Sequence, residues 1–229
     1  MNHSSGIQGG IYAVSVWIMR FGLTNLQWTA FNVPVAVIVL SMVYAKQAAD
    51  FVYLVPPLLL LLPVLFFPAT SAMFAKAREW IRKEEANERS YFSYYKENYK
   101  QSLFGGLIFT VLWTILVTDI YYFSTTNVTL MNVFFILGIL LFVFTVNFFN
   151  VLVHFDMKLK GVLKQAFLTT IVSPVLFIAI AFCSAVILYI SVYIFPLMVP
   201  IFSGTIISFL AFSAFYRFYL KQAERKEAA

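Results

Sequence analysis

The sequence predicts an all-α fold: a polytopic helical membrane protein with six transmembrane helices, forming a single integral membrane domain over residues 1–229. Composition is the first reason. The chain is 62% hydrophobic and only 11% charged, with mean hydropathy +0.85, whereas a soluble domain is nearer half apolar and about a quarter charged. Continuity is the second: the apolar residues form runs of the ~20 residues that a helix needs to cross hydrocarbon. The third is charge placement, since the sixteen Lys and Arg residues cluster between those runs.

Taken in order, Met1 to Gly10 is polar, and no short apolar core precedes a small-residue cleavage site. The first span is therefore expected to act as its own insertion signal. Ile11 to Arg20 is short and mixed and reads as an interfacial helix leading into that span. The spans are expected at about 22–44, 51–72, 104–124, 129–152, 171–193 and 197–219. In the second, Pro56 and Pro57 suit a first turn, whereas Pro63 and Pro68 are interior and remove helix hydrogen bonds, so kinks are expected. Carbonyls freed in a membrane must face protein or water, and Thr70 and Ser71 follow at once. Pro174 is expected to kink the fifth span. Gly105 and Gly106, early in the third, permit close helix approach.

Orientation follows from the basic residues. The segments 1–21, 73–103, 153–170 and 217–229 hold fifteen of the sixteen, and the opposite loops near 45–50, 125–128 and 194–196 hold only Lys46. The excess marks the cytoplasmic side, so both termini are expected there. With the net charge of +6 placed beside apolar spans, the expected partner is a bilayer with anionic headgroups on its cytoplasmic side, not nucleic acid. The one cysteine, Cys183, lies inside an apolar run and forms no intrachain disulfide.

The segment 73–103 reads as cytoplasmic and amphipathic. Met73, Phe74, Ala77, Trp80 and Ile81 fall on one helical face, with Lys76, Arg82 and Lys83 off it. Tyr91, Phe92, Tyr95 and Tyr99 form a second stripe beside Lys96, Glu97 and Lys100, and Ser90 suits the N-cap of that helix. The pair reads as two helices lying at headgroup level. Phe74, Lys76, Trp80, Arg82, Lys83, Tyr91, Tyr95, Lys96, Tyr99 and Lys100 then make a surface for lipid or for a protein partner; the aromatic content suits either. A faint echo links KENYKQSL at residues 96–103 with KGVLKQAF at 160–167, either a parallel repeat or two basic entry helices of simple pattern.

Few residues suggest chemistry. Asp119 is the one acid inside an expected span, and intramembrane acids are often functional; an interfacial role beside Tyr121 and Tyr122 is the alternative. Asn147 and Asn150 lie three apart on one face of the fourth span, as structural glue or as the lining of a path. Asn25, Gln27 and Asn32 in the first span read likewise. Together Asp119, Asn147 and Asn150 are the candidate intramembrane polar site. His154 and Asp156 alone make a poor metal site, and no nucleotide, metalloprotease or nucleophile-elbow motif occurs. No cofactor, no metal and no catalytic residue is expected.

The stretch FFPATSAMFAKAREWIRK at 66–83 resembles the YesL-like family of bacterial membrane proteins, a domain of unknown function. The resemblance continues through YFSYYKENYKQS at 91–102, reaches back to NLQW at 25–28 and forward to Asp119. It implies a bacterial cell membrane location. Family members are typically encoded beside carbohydrate uptake systems of the ATP-binding-cassette (ABC) type, which implies an accessory or sensing role in oligosaccharide uptake, with a transporter or signalling subunit as partner. The competing readings are an autonomous small-solute transporter or channel using intramembrane polar residues and, third, a membrane enzyme. Substrate and oligomeric state are not legible.

Overall fold

The computed structural model of the chain describes residues 7–83 and 88–227. Among the described residues, six helical stretches are long and apolar enough to cross a membrane: Gly9–Val43, Ala49–Ile81, Tyr99–Thr126, Val128–His154, Pro174–Ile194 and Val199–Arg225. The predicted number and order of spans are found, with several ends extended.

Helix α1 (Ile7–Val43) runs 37 residues without a break. The separate interfacial helix expected over 11–20 is therefore absent. No proline falls between residues 7 and 33, so nothing stops helix propagation there.

The second span comprises α2 (Ala48–Leu61), a π-helical turn (Leu62–Phe66) and α3 (Phe67–Ile81). The Asp50 carboxylate accepts from the backbone N–H groups of Lys46 and Gln47, both at 3.2 Å, and so fixes an early start. Pro56 and Pro57 consequently sit two turns inside α2 rather than in its first turn. Pro63 has no N–H to give, and the ladder widens locally, the Phe67 N–H donating to the Leu62 carbonyl. Ser71 Oγ donates to the Pro68 carbonyl at 2.9 Å, whereas Thr70 Oγ1 accepts from Trp28 Nε1 at 3.0 Å.

The expectation that the stripe at 73–81 faces lipid or a partner is overturned. Thirteen of the fifteen residues of α3 are buried. Small side chains at Ala69, Ser71, Ala72, Ala75 and Ala77 let α1, α5, α6 and α9 approach from every side. The apolar stripe read from the sequence is real, but protein covers it rather than lipid. After α3 the chain turns through Lys83, at φ 55, and returns beside α3 as the seven-residue α4 (Tyr91–Glu97), N-capped by Ser90 Oγ, which accepts from Ser93 N–H at 3.2 Å.

Helices α5 (Tyr99–Thr126) and α6 (Val128–His154) form a tight hairpin, with Asn127 Oδ1 capping α6 at Leu130 N–H, 3.1 Å. Rings set the register: Phe123 stacks on Phe134 and Phe109 meets Phe148, with centroids 5.4 and 5.1 Å apart.

The fifth span is broken, not kinked, at its start. Helix α7 (Leu159–Val172) ends before Ser173, whose Oγ caps α8 (Pro174–Tyr189) at Leu176 N–H, 3.3 Å. Two further π-helical turns, Ile190–Ile194 and Val199–Ser203, lead into α9 (Gly204–Glu227). Carbonyls of the second turn are satisfied from α1: Asn25 Nδ2 donates to Val199 O at 3.0 Å and Thr29 Oγ1 to Pro200 O at 2.9 Å. The two echoing segments differ in structure. Residues 96–103 straddle the α4–α5 junction, and 160–167 lie within α7.

Gly105 and Gly106 do allow close packing. A Cβ on Gly106 would lie 2.8 Å from Phe67 Cγ and 2.9 Å from its Cβ, a ring root that cannot swing away. A Cβ on Gly10 meets nothing within 4 Å. We expect Gly106→Val to destabilise the fold by about 1–3 kcal/mol through overpacking, and Gly10→Ala to leave it unchanged, as read by thermal unfolding in detergent.

Candidate functional site

At the end of the bundle where the basic residues gather, α3 carries Lys76 and Glu79 three positions apart, hence on one face. Both are buried, at 7% and 1% exposure. Lys76 Nζ lies 2.5 Å from Glu79 Oε1 and also donates to the Arg89 carbonyl at 3.1 Å. Glu79 Oε2 accepts from Tyr94 Oη at 2.7 Å and from the Arg89 N–H at 3.2 Å. Tyr91 Oη donates to the Ala69 carbonyl at 2.6 Å. Burial and the bond to Glu79 push the Tyr94 phenol up to about 12, and burial raises that of Tyr91 well above its usual value. The group acts as a clamp, fastening α4 to α3.

Beside it, the Arg78 guanidinium donates to the Val153 carbonyl near the end of α6. His154 is walled by the rings of Phe155, Phe212, Phe215, Tyr216 and Tyr219. Among the described residues, no three His, Cys, Asp or Glu side chains converge to hold a metal ion.

The candidate intramembrane polar residues do not form one site. Asn147 and Asn150 are fully buried. Asn150 Nδ2 donates to Asn147 Oδ1 at 3.3 Å, and Asn147 Nδ2 to Thr170 Oγ1 at 3.0 Å, which ties α6 to α7. Asp119 is half-buried on α5. The hairpin register that pairs Phe109 with Phe148 sets Asp119 opposite Gly138. That is nine residues, or roughly 13 Å at the helical rise, from the level of Asn147.

A cavity of about 430 Å³ lies in the middle of the bundle, walled by α1, α3, α5, α6, α8, α9 and two of the π-helical turns. Its wall is almost wholly apolar and includes Phe66, Phe67, Phe74 and Phe149. Two indole–threonine pairs brace it: Trp28 to Thr70, and Trp113 Nε1 to Thr145 Oγ1 at 3.2 Å. Neither Asn147, Asn150 nor Asp119 lines it.

The ten residues expected to form one surface are divided by the structure. Phe74, Lys76, Trp80 and Tyr91 are interior, because α3 is central and α4 folds onto it. Tyr95 and Tyr99 are half-buried, Tyr95 stacking on Phe31 of α1 at 4.6 Å. Arg82, Lys83, Lys96 and Lys100 are exposed. Glu79, Tyr94, Thr110 and Trp113 were not singled out in the sequence. The i,i+3 spacing of Lys76 and Glu79 was the available signal for the first.

Residues 21–120 match a family described as a protein of unknown function, DUF624. The uncharacterized protein YesL of Bacillus subtilis (strain 168) is 27% identical over 236 residues, covering 100% of this chain and 99% of its own length. The uncharacterized protein YteU of the same strain is 26% identical over 227 residues, covering 96% and 90%. The YesL-like resemblance is borne out. The match over 21–120 takes in α3, the clamp and half of the cavity wall. With bacterial relatives and six apolar helices, the chain is a multi-pass membrane protein of bacterial type. No solved structure matches it.

Removing one member of a buried ion pair costs about 3–5 kcal/mol where the other charge is left alone; here the exposed Glu88, its Oε1 3.4 Å from Lys76 Nζ, offsets part of that. Glu79→Ala should therefore lower the unfolding midpoint strongly. Tyr94→Phe, which removes one hydrogen bond to a charged group, should lower stability by about 1.5–3 kcal/mol. Thermal unfolding of both variants in detergent checks the order, with limited proteolysis at Arg89 as a second reading.

Proposed function

We propose that this protein is a non-enzymatic component of the bacterial cell membrane that assists or senses carbohydrate uptake by an ABC-type system, with both termini in the cytoplasm. One observation carries the choice over autonomous transport of a polar solute. The amides that would line a path, Asn147 and Asn150, are fully buried, Asn147 bonded to Thr170 of α7 and Asn150 to Asn147, while the central cavity is walled by apolar side chains. A sugar sheds its water only where polar groups replace it, and these are turned elsewhere.

A protein that does not carry the solute acts through contact. The basic end offers Lys96, its Nζ 4.3 Å from the Phe92 ring centroid, and Lys100 one turn on, both exposed. The clamp beneath them holds α4 in place, so this surface is presented rigidly. Its charge suits an acidic patch on a transporter or signalling subunit at the membrane face. The carbohydrate link rests on the family context that the resemblance implies.

Copurification from native membranes tests the reading. The tagged chain should retain a transporter or signalling subunit, and the double variant Lys96→Glu, Lys100→Glu should lose it. Repeated capture of neither class of subunit would sink the proposal. Orientation has its own check. In a Cys183→Ser background, a cysteine at Asn127 should react with an impermeant thiol reagent on whole cells, and one at Lys83 only after permeabilisation.

A further inference from the structure

The central cavity has the size and chemistry of a ligand site, independently of any role in carbohydrate uptake. Its volume of about 430 Å³ falls in the range of roughly 300–1,000 Å³ common for small-molecule pockets. Leu188 and Val199, on its wall, are exposed at 42% and 39%. The cavity therefore has a mouth between the fifth and sixth spans, near their ends at Ile194 and Val199.

The polar groups on the wall are few and nearly all engaged. The Trp28 and Trp113 indoles are bonded to Thr70 and Thr145. Thr145 Oγ1 donates to the Leu141 carbonyl, and Ser203 pairs with Ser191. Thr110 differs: it is 7% exposed, and its hydroxyl has no hydrogen-bond partner among the described residues. A buried hydroxyl left unpaired is unfavourable by about 1–3 kcal/mol, so this donor is suited to an acceptor on a bound molecule.

Water fits poorly, since a buried water needs two to four polar partners. A sugar needs more. A charged headgroup is disfavoured by the apolar wall, and Thr110 lies ten residues beyond the exposed Lys100, roughly 15 Å along the helix. We infer that the cavity binds a neutral, membrane-soluble molecule with an apolar skeleton and a carbonyl oxygen, which accepts from Thr110 while its body lies among the aromatic rings. The two π-helical turns on the wall, around Leu62 and Val199, fit this assignment, because such turns recur at functional sites.

The test uses the full chain in nanodiscs and a short-tailed alkyl benzoquinone, a neutral carbonyl compound that quenches indole fluorescence. Trp17→Phe and Trp80→Phe leave only Trp28 and Trp113 of the four tryptophans. Quenching should saturate. Thr110→Val should raise the half-saturating concentration roughly fivefold, the worth of one neutral hydrogen bond, and Ile207→Phe should remove the saturable component by filling the space. In the unmodified chain, the quinone should raise the unfolding midpoint, less so with Thr110→Val. Quenching that stays linear and equal in all variants would reduce the effect to partition into lipid and overturn the assignment. So would strong quenching of both indoles by acrylamide, which would mark a water-filled cavity. Neither result bears on copurification with a transporter.

Discussion

A carboxylate can stay ionised away from water only if donors surround it, and Glu79 is 1% exposed. Its donors are the Lys76 ammonium on its own helix, the Arg89 backbone N–H and the Tyr94 hydroxyl. Two of the three come from the chain that follows α3. Burying Glu79 therefore requires residues 88–94 to come back against α3, and that requirement shapes the whole basic end. Tyr91 then reaches the Ala69 carbonyl, and Tyr95 stacks on Phe31. What the periodicity reads as a pair of amphipathic helices on a lipid surface is instead a cover fastened to the central helix.

The sequence made the six spans legible because they depend on length and hydropathy, which are local. The cap at Ser90 and the tight approach at Gly105 and Gly106 depend on a residue or two and were equally open to reading. The role of α3 was not legible. A stripe such as Met73, Phe74, Ala77 and Trp80 states that one face avoids water, and lipid or protein satisfies it equally. What decides is the run of small residues between them, which lets helices close in on all sides, together with the pairing of Lys76 with Glu79. Likewise, Pro63 predicted a disturbance in the second span, but whether a ladder kinks or widens into a π-helical turn depends on neighbours. The break at Ser173 depends on both Pro174 and the serine that caps it. Asp119, Asn147 and Asn150 share a chemistry without sharing a depth, and depth is set by the hairpin register.

In hydrocarbon, helices gain nothing by hiding apolar surface from lipid, so their order rests on fit and on internal hydrogen bonds. Here the fit is ring against glycine, Phe148 on Gly105 and Phe67 on Gly106. The bonds are the indole–threonine pairs and the amide of Asn25, which holds the Val199 carbonyl and accepts from the Thr205 N–H. These directed contacts keep the six spans apart in the middle as well as together at the basic end, and the cavity is the space they leave.

The two regions share one rigid part. Thr70, Met73 and Phe74 of α3 line the cavity, and Glu79 lies nine residues beyond Thr70, roughly 13 Å along the same unbroken helix. A helix of that length does not bend without a proline, a π-helical turn or an inserted side chain, and α3 has its proline at Pro68, before Thr70. Thr70, Met73 and Phe74 therefore sit on the same rigid stretch as Glu79. Glu79 in turn is bonded to Arg89 and Tyr94, two residues before Lys96 on the exposed side of α4. The α3 part of the cavity wall and the basic surface are thus joined through a single helix and one buried carboxylate.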